Sequence, residues 1–181
     1  MRLCLTLLLL LLLPTTGEAY FRLQGQVSAP TPVLKVGRRV PMAETELQRF
    51  RRQILELTNA ERQKKNLPPL TKNAILERTA QAHAEDMRAK NYFSHKNGQG
   101  KEPSARIRDA GYFVIPCTAC AYSFSSGENI AKGQRTAKSV MQAWMNSPVH
   151  RDNILRANFR ELGVGYTGDI WVQNFGAMEI K

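Results

Sequence analysis

The sequence predicts an α+β domain in which helices come first and a β-hairpin comes last. Over residues 44–91, and again over 136–146, apolar residues recur every three or four positions, the pattern of helices with one buried face. After residue 161, apolar residues alternate with glycine and threonine, and Gly168-Asp169 is a two-residue hairpin turn. Because helices and strands are segregated along the chain, a layered α+β arrangement is favoured over a doubly wound sheet.

The N-terminus has the layout of a secretory signal peptide, which we predict at residues 1–19. Arg2 supplies a positive charge, residues 5–13 are almost all leucine, and a small-residue cleavage site ends at Ala19. The apolar run is too short to span a bilayer, although an uncleaved anchor is the alternative. We therefore expect cleavage near Ala19 and a protein that is secreted, periplasmic or extracellular.

Residues 20–43 combine prolines and glycines with lysine and arginine, and no apolar period persists there. This composition predicts a flexible basic lead-in, followed by one domain at 44–181. The chain has a formal net charge of +11, much of which we expect on solvated helix surfaces. Outside a cell, such a charge favours an anionic membrane surface or cell-surface polymer as partner, and nucleic acid is not expected.

Two cysteines, Cys117 and Cys120, remain after the signal peptide and form the pattern Cys-Thr-Ala-Cys. In the cytosol this spacing would indicate redox chemistry or half of a zinc site, but the sequence has no second pair and no βαβ pattern around it. In an exported protein the pair predicts a small disulfide that pins a loop.

The first two helices are bounded by clear signals. The first is predicted from Glu44 and ends before the Pro68-Pro69 pair. Asn73 can cap the second, which should run to about Asn91. Its apolar stripe includes His83, and a histidine on such a stripe is expected to be a packed, hydrogen-bonded core residue.

The next elements are shorter. A short helix is predicted over residues 103–110, and 111–126 is expected to be irregular, with a short strand or turn at 127–131. Thr136 to Asn146 is a third clear helix. Ser147 and Pro148 then provide a cap and a first helical position for a helix that carries His150 and ends near residue 155.

Three residues are the candidates for chemistry: His95, Glu128 and His150. Both histidines lie just outside or at the start of predicted elements, where side chains can converge on a cleft, and Glu128 follows a glycine that permits close backbone approach. Two imidazoles and a carboxylate can bind a divalent metal such as zinc and leave one position open. They can equally form a metal-free acid–base cluster, because histidine titrates near neutral pH.

Several motifs around these residues occur in an order that resembles the bacterial form of the CAP superfamily, also called SCP/PR-1-like domains. The resemblance covers roughly residues 50–176. It rests on the Leu-Thr-Asn-Ala-Glu-Arg run at 57–62, Phe-Ser-His at 93–95, Gly-Glu-Asn-Ile at 127–130, the segment from Ala143 to Leu155, and Leu-Gly-Val-Gly-Tyr at 162–166.

The resemblance implies a three-layer α-β-α sandwich with an open cleft, lined in this family by two histidines and two acids. Matched by motif, His95 and His150 are the two histidines and Glu128 is the acid of the Gly-Glu-Asn motif. The second acid of the eukaryotic pattern falls on Ser147. The resemblance therefore implies an incomplete tetrad. The candidates for supporting the cleft are Asn129, Ser147, Asp152 and Glu161, and Asp152 or Glu161 is the candidate to replace the missing acid.

Three functions stay open at this stage. The resemblance implies an exported module that binds a lipid, a sterol or a cell-surface glycan, with zinc or another divalent metal in the cleft. A metal- or histidine-assisted extracellular hydrolase, such as a protease, is the alternative, and a non-catalytic structural or defence-type protein is another. Because the missing acid leaves no obvious general base beside a bound metal, binding is favoured over catalysis.

Overall fold

The computed structural model describes residues 43–113 and 121–180. The predicted signal peptide at 1–19, the lead-in up to residue 42, and both Cys117 and Cys120 lie outside the described residues. None of the helices in the described ranges combines the length and the apolar character needed to cross a membrane.

The domain contains five helices and a four-stranded sheet within the described residues. The sheet order is β1-β3-β4-β2, with β1 parallel to β3 and the other neighbours antiparallel. The helices are α1 (Glu46–Gln63), α2 (Ala74–Ala89), α3 (Pro103–Asp109), α4 (Ala137–Asn146) and α5 (Pro148–Ile154), and the strands are β1 (Thr71–Lys72), β2 (Tyr122–Lys132), β3 (Glu161–Thr167) and β4 (Ile170–Ile180).

Helices cover both faces of the sheet, so the predicted α-β-α layers are confirmed. Alternation along β4 separates two cores, because successive side chains of a strand point to opposite faces. Trp171 and Phe175 pack with residues of α1, α4 and α5. Ile170 and Val172 pack with the alanines and Met87 of α2 on the other face.

Most predicted helix boundaries agree with the structure to within about two residues, which is the usual uncertainty in assigning the end of a helix. Asn73 caps α2, since its Oδ1 accepts the backbone N–H groups of Ile75 and Leu76. Ser147 lies at the N-cap of α5, but its side chain makes no capping hydrogen bond. The predicted irregular stretch at 111–126 is wrong from Tyr122 onward, because β2 pairs with the whole length of β4.

Two glycines of β3 allow α2 to lie directly on the sheet. A Cβ atom at Gly163 would stand 2.1 Å from the Leu76 carbonyl carbon, and one at Gly165 would stand 2.3 Å from the Ala80 carbonyl carbon. Both contacts are with helix backbone, which cannot move aside as a flexible side chain can. Because glycine occupies every second position of this part of β3, α2 lies close to the sheet, with His83 on its buried face.

Arg62, at the end of α1, is completely buried and is surrounded by backbone carbonyl groups. Its guanidinium donates to the carbonyl oxygens of Pro68, Ile154 and Arg156 at 2.9 Å each and to that of Phe159 at 3.2 Å. Burial is the main cause of the lowered pKa of this group. Arg62 thereby ties α1 to the segment that joins α5 and β3.

We expect Arg62→Lys to lower the free energy of unfolding by about 1–3 kcal/mol, because an ammonium group cannot span all of these carbonyl groups and leaves some without a donor. Urea unfolding measures the loss. Arg52→Lys, at an exposed position of the same helix, is the matched control and should change stability by less than about 0.5 kcal/mol. Equal effects of the two variants would show that the buried carbonyl contacts contribute nothing.

Candidate functional site

The strand β2 presents two consecutive polar residues to opposite faces of the sheet. Glu128 lies opposite Asn174 of β4, on the face covered by α2. Asn129 lies opposite Gln173, on the face covered by α5. Because successive side chains of a strand point to opposite faces, Glu128 and Asn129 place adjacent polar groups on the two faces of the sheet.

The carboxylate of Glu128 is almost fully buried, with 1% of its side chain exposed, and both of its oxygens are engaged. His95 Nδ1 donates to Oε1 at 2.8 Å. Arg106 Nη2 donates to Oε2 at 2.5 Å, and this guanidinium is itself only 10% exposed. Asn174 Nδ2 donates to the same oxygen at 3.1 Å, in the amide orientation that also lets the amide oxygen accept from Ala80 N–H. Glu128 is therefore a paired buried anion.

His95 lies in the loop after α2, and 48% of its side chain is exposed. Because a carboxylate oxygen accepts, Nδ1 carries the hydrogen of the neutral ring, and the lone pair is on Nε2. Arg106 also donates from Nη1 to the backbone oxygen of His95 at 2.6 Å, which fixes the loop. The arrangement holds the His95 imidazole in one tautomer and one orientation.

His150 is on the first turn of α5, which Asn129 attaches to the sheet. Asn129 Nδ2 donates to the His150 carbonyl oxygen at 3.1 Å, and Asn153 Nδ2 donates to Asn129 Oδ1 at 3.0 Å. Burial is the main cause of the lowered pKa of His150, and a positive charge on His95 would lower this pKa further. His150 therefore favours its neutral form.

His83, on α2, is buried, as its position on the apolar stripe predicts. Its Nε2 is 2.9 Å from the Ser94 carbonyl oxygen and 4.0 Å from Glu128 Oε1. Because a carbonyl only accepts, Nε2 carries the hydrogen. Burial is the largest cause of the lowered pKa of His83. The ring therefore supports the His95 loop as a neutral donor.

The other predicted supporting residues lie in different surroundings. Glu161 accepts from Asn73 Nδ2 at 2.9 Å and from Tyr112 Oη at 2.5 Å, so both of its oxygens have partners. Asp152 is exposed on α5 and has no ion pair or side-chain hydrogen bond within the described residues. Ser147 remains where the second acid of the family pattern would be.

No group of three or more histidine, cysteine, aspartate or glutamate side chains within residues 43–113 and 121–180 is arranged to hold a metal ion. The structure brings Glu128 to His95 as a hydrogen-bond partner. The His95 ring is half-exposed with Glu128 behind it, so Nε2 is the ring nitrogen of His95 that remains available to a ligand.

Arg106 is the important residue that sequence reasoning missed. It contacts the side chain of Glu128 and the backbone of His95 and Lys101, and so joins α3 to the cleft. The only signal in the sequence is an arginine in a short helix, among many other basic residues. Its burial depends on how α3 packs, which no local pattern reports.

Comparisons with known proteins identify the family to which this fold belongs. Residues 55–175 match the CAP family profile, described as the cysteine-rich secretory protein family. A Bacillus subtilis protein, YkwD, described as uncharacterized, is 42% identical over 135 residues, which are 74% of this chain and 49% of that one.

Two solved structures have a similar fold. An extracellular protein containing an SCP domain from Bacillus anthracis has a TM-score of 0.62 and 32% identity, covering 71% of this chain and 40% of its own. An outer surface protein from Borrelia burgdorferi has a TM-score of 0.59 at 22% identity, covering 71% of this chain and 92% of its own.

The match covers 49% of the Bacillus subtilis relative, so it concerns about half of that protein. Within this chain, the family match extends from α1 to β4 and includes His95, Glu128 and His150. The fold, the order of the motifs and the profile match lead to one conclusion. The chain belongs to the CAP family, the cysteine-rich secretory proteins, in a form similar to bacterial SCP domains.

Proposed function

We propose that this protein is an exported binding module, in which His95 and His150 hold a divalent metal ion such as zinc and the surrounding cleft binds a lipid, sterol or glycan of a cell surface. Two relatives are described as an extracellular protein and an outer surface protein, which supports a location outside the cell. The basic net charge of +11 supports an anionic surface as the place of action.

The observation that carries the metal proposal is the hydrogen bond of 2.8 Å from His95 Nδ1 to Glu128. Histidines that bind metals commonly donate their other ring nitrogen to a carboxylate, which fixes the tautomer and raises the basicity of the ligating nitrogen. His150, whose lowered pKa favours the neutral ring, provides a second imidazole. A bound cation would supply a positive charge for oxygen atoms of a ligand.

Exposed apolar side chains beside both histidines support a ligand with an apolar part. Phe93, two residues before His95, is 46% exposed, and Val149, directly before His150, is 72% exposed. Contiguous exposed apolar surface is typical of binding sites, and we propose that these two side chains form the apolar part of this one. In this proposal, the apolar part of a lipid or sterol contacts Phe93 and Val149, and its polar head approaches His95 and His150.

The state of Glu128 favours binding over hydrolysis. A general base needs a carboxylate that can reach a substrate or water, and the oxygens of Glu128 are buried and occupied by His95, Arg106 and Asn174. A screen of peptide and ester substrates should give no turnover. Turnover by the unmodified protein that is lost in a Glu128→Ala variant shown to be folded would establish the hydrolase instead.

Zinc titration of the purified protein by calorimetry tests the metal site. We expect one saturable site that is lost in His95→Ala and in His150→Ala, because each removes one of two imidazoles. Glu56→Gln, which alters an exposed acid of α1 that has no place in the proposed site, is the matched control and should bind zinc like the unmodified protein. Zinc binding that survives both alanine substitutions would refute the site.

Vesicle flotation and a glycan array, each with zinc and with a chelator, test the ligand. We expect binding to anionic vesicles to depend on zinc and to fall in Phe93→Ser and Val149→Ser. Glycan binding without vesicle binding would show that the ligand is a glycan and not a lipid. Vesicle binding that depends on ionic strength but not on zinc would show that only surface charge is responsible.

A further inference from the structure

We propose that the outer edge of β2 over residues 122–126 is a self-association surface, at which a second copy of this chain adds its own β2 and continues the sheet. β2 is the last strand in the order β1-β3-β4-β2, so one of its edges has no neighbouring strand within the described ranges. Its other edge pairs with β4 in a register that continues without a bulge. The free edge of such a strand presents backbone N–H and C=O groups that can pair with a strand of another molecule.

The opposite edge of the sheet, along β3 beyond its short pairing with β1, is closed by side chains of two helices. Arg51 Nε, on α1, donates to the Val164 carbonyl oxygen at 2.9 Å. The Gln81 amide, on α2, accepts from the backbone N–H of Tyr166 at 3.0 Å and donates to the carbonyl oxygen of the same residue at 3.1 Å. These side chains occupy the place of a further strand, so this edge is not open to another molecule.

The second half of β2 is closed in the same way. Asn153 Nδ2 donates to the Glu128 carbonyl oxygen at 3.2 Å. Trp144 Nε1 donates to the Ile130 carbonyl oxygen at 3.3 Å. The outward backbone groups of this half of the strand are therefore covered by α4 and α5.

The first half of β2 has no such closure. Backbone groups alternate between the two edges of an antiparallel strand, so those of Tyr122, Phe124 and Ser126 point to the same outer edge as the carbonyl of Glu128. Among residues 43–113 and 121–180, no backbone or side-chain group bonds to these outward groups. Tyr122 and its neighbour Ser123 are also exposed. This half of the strand is therefore available for pairing.

The composition of this half-strand favours a second copy of the chain as the partner. Free edges are usually protected by a lysine, a proline or a bulge, and residues 122–126 contain no charged residue and no proline. The whole chain has a net charge of +11, so two copies repel each other wherever their basic surfaces approach. A neutral edge is the place where two copies meet at the lowest electrostatic cost. An acidic partner would be attracted to the basic surfaces instead.

A two-fold axis perpendicular to the sheet satisfies the edges of both copies at once. It makes the two β2 strands antiparallel, so each supplies N–H and C=O groups to the other. The axis also leaves the same face of the sheet on the same side in both copies. Tyr122 and Phe124 share that face with Met178, which lies opposite Phe124 on β4. Tyr122 is 42% and Met178 38% exposed, so apolar contacts across the junction add to the backbone pairing.

Sedimentation velocity of the purified protein over a range of concentrations tests the proposal, with a chelator to keep it independent of the metal proposed at His95 and His150. We expect a monomer–dimer equilibrium that shifts toward the dimer as salt is added, because salt screens the repulsion between two basic molecules. Hydrogen exchange followed by NMR should show the amides of Tyr122, Phe124 and Ser126 becoming protected as the dimer forms. A monomer at every concentration, a dimer that weakens with salt, or a monomer whose edge amides are already protected would overturn the proposal.

Two substitutions at one position separate backbone pairing from side-chain contacts. Tyr122→Pro removes the outward N–H and leaves the bonds to β4 in place, since proline is tolerated at the first residue of an edge strand. Tyr122→Ala removes the same ring but keeps the N–H, and is the matched control. We expect the dimer of the proline variant to be at least tenfold weaker than that of the alanine variant, with urea unfolding to establish that both are folded. Equal dissociation constants would show that this edge is not the interface.

Discussion

Glu128→Gln is expected to lower the free energy of unfolding by about 3–5 kcal/mol, because it leaves the buried guanidinium of Arg106 without its counter-ion. The same change removes the carboxylate that accepts from His95 Nδ1. Loss of such an outer partner typically costs 10–100-fold in metal affinity, so zinc binding at the proposed site should weaken by about that factor. Urea unfolding and zinc calorimetry measure the two effects.

A double-mutant cycle isolates the ion pair from other consequences. Arg106→Met alone should destabilise the protein by a similar amount, since it leaves the buried carboxylate of Glu128 unpaired. The double variant should lose clearly less than the sum, because it removes both charges together. Additive losses would show that Glu128 and Arg106 do not act as a pair, and that the 2.5 Å contact does not stabilise the fold.

Gly165→Ala is expected to lower the free energy of unfolding by about 3 kcal/mol, at the upper end of the usual cost of overpacking. Its Cβ would stand 2.3 Å from the Ala80 carbonyl carbon, so α2 must move away from β3. Thermal and urea unfolding measure the loss. Because α2 carries His83, the ring signals of His83 in NMR spectra should shift as well.

Gly98→Ala is the matched control for this clash. Its Cβ would meet only the flexible end of the Lys90 side chain, at 3.1 Å, which can turn aside. We expect a change within about 0.5 kcal/mol, as for most surface substitutions. Similar losses in both variants would indicate that the close packing of α2 on β3 does not limit the size of residue 165.

The helices and the terminal hairpin could be predicted because their signals are local. Cap residues such as Asn73, apolar periods of three to four residues and the Gly168-Asp169 turn depend on short-range geometry, which the order of residues specifies directly. The first half of β2 was not predictable, because Tyr122 to Ser126 becomes a strand only by pairing with β4. Strand pairing across about fifty residues has no local signature.

The order of residues alone was enough to predict the layered α+β class, the family motifs and the candidates His95, Glu128 and His150. The surroundings of these three residues became known only from the folded domain. It shows that Glu128 is neutralised by Arg106 and that His83 supports the loop of His95. These contacts join residues 11 to 33 positions apart on different elements. Their formation depends on helix packing and on desolvation of charge, and both are properties of the folded domain that the order of residues does not display.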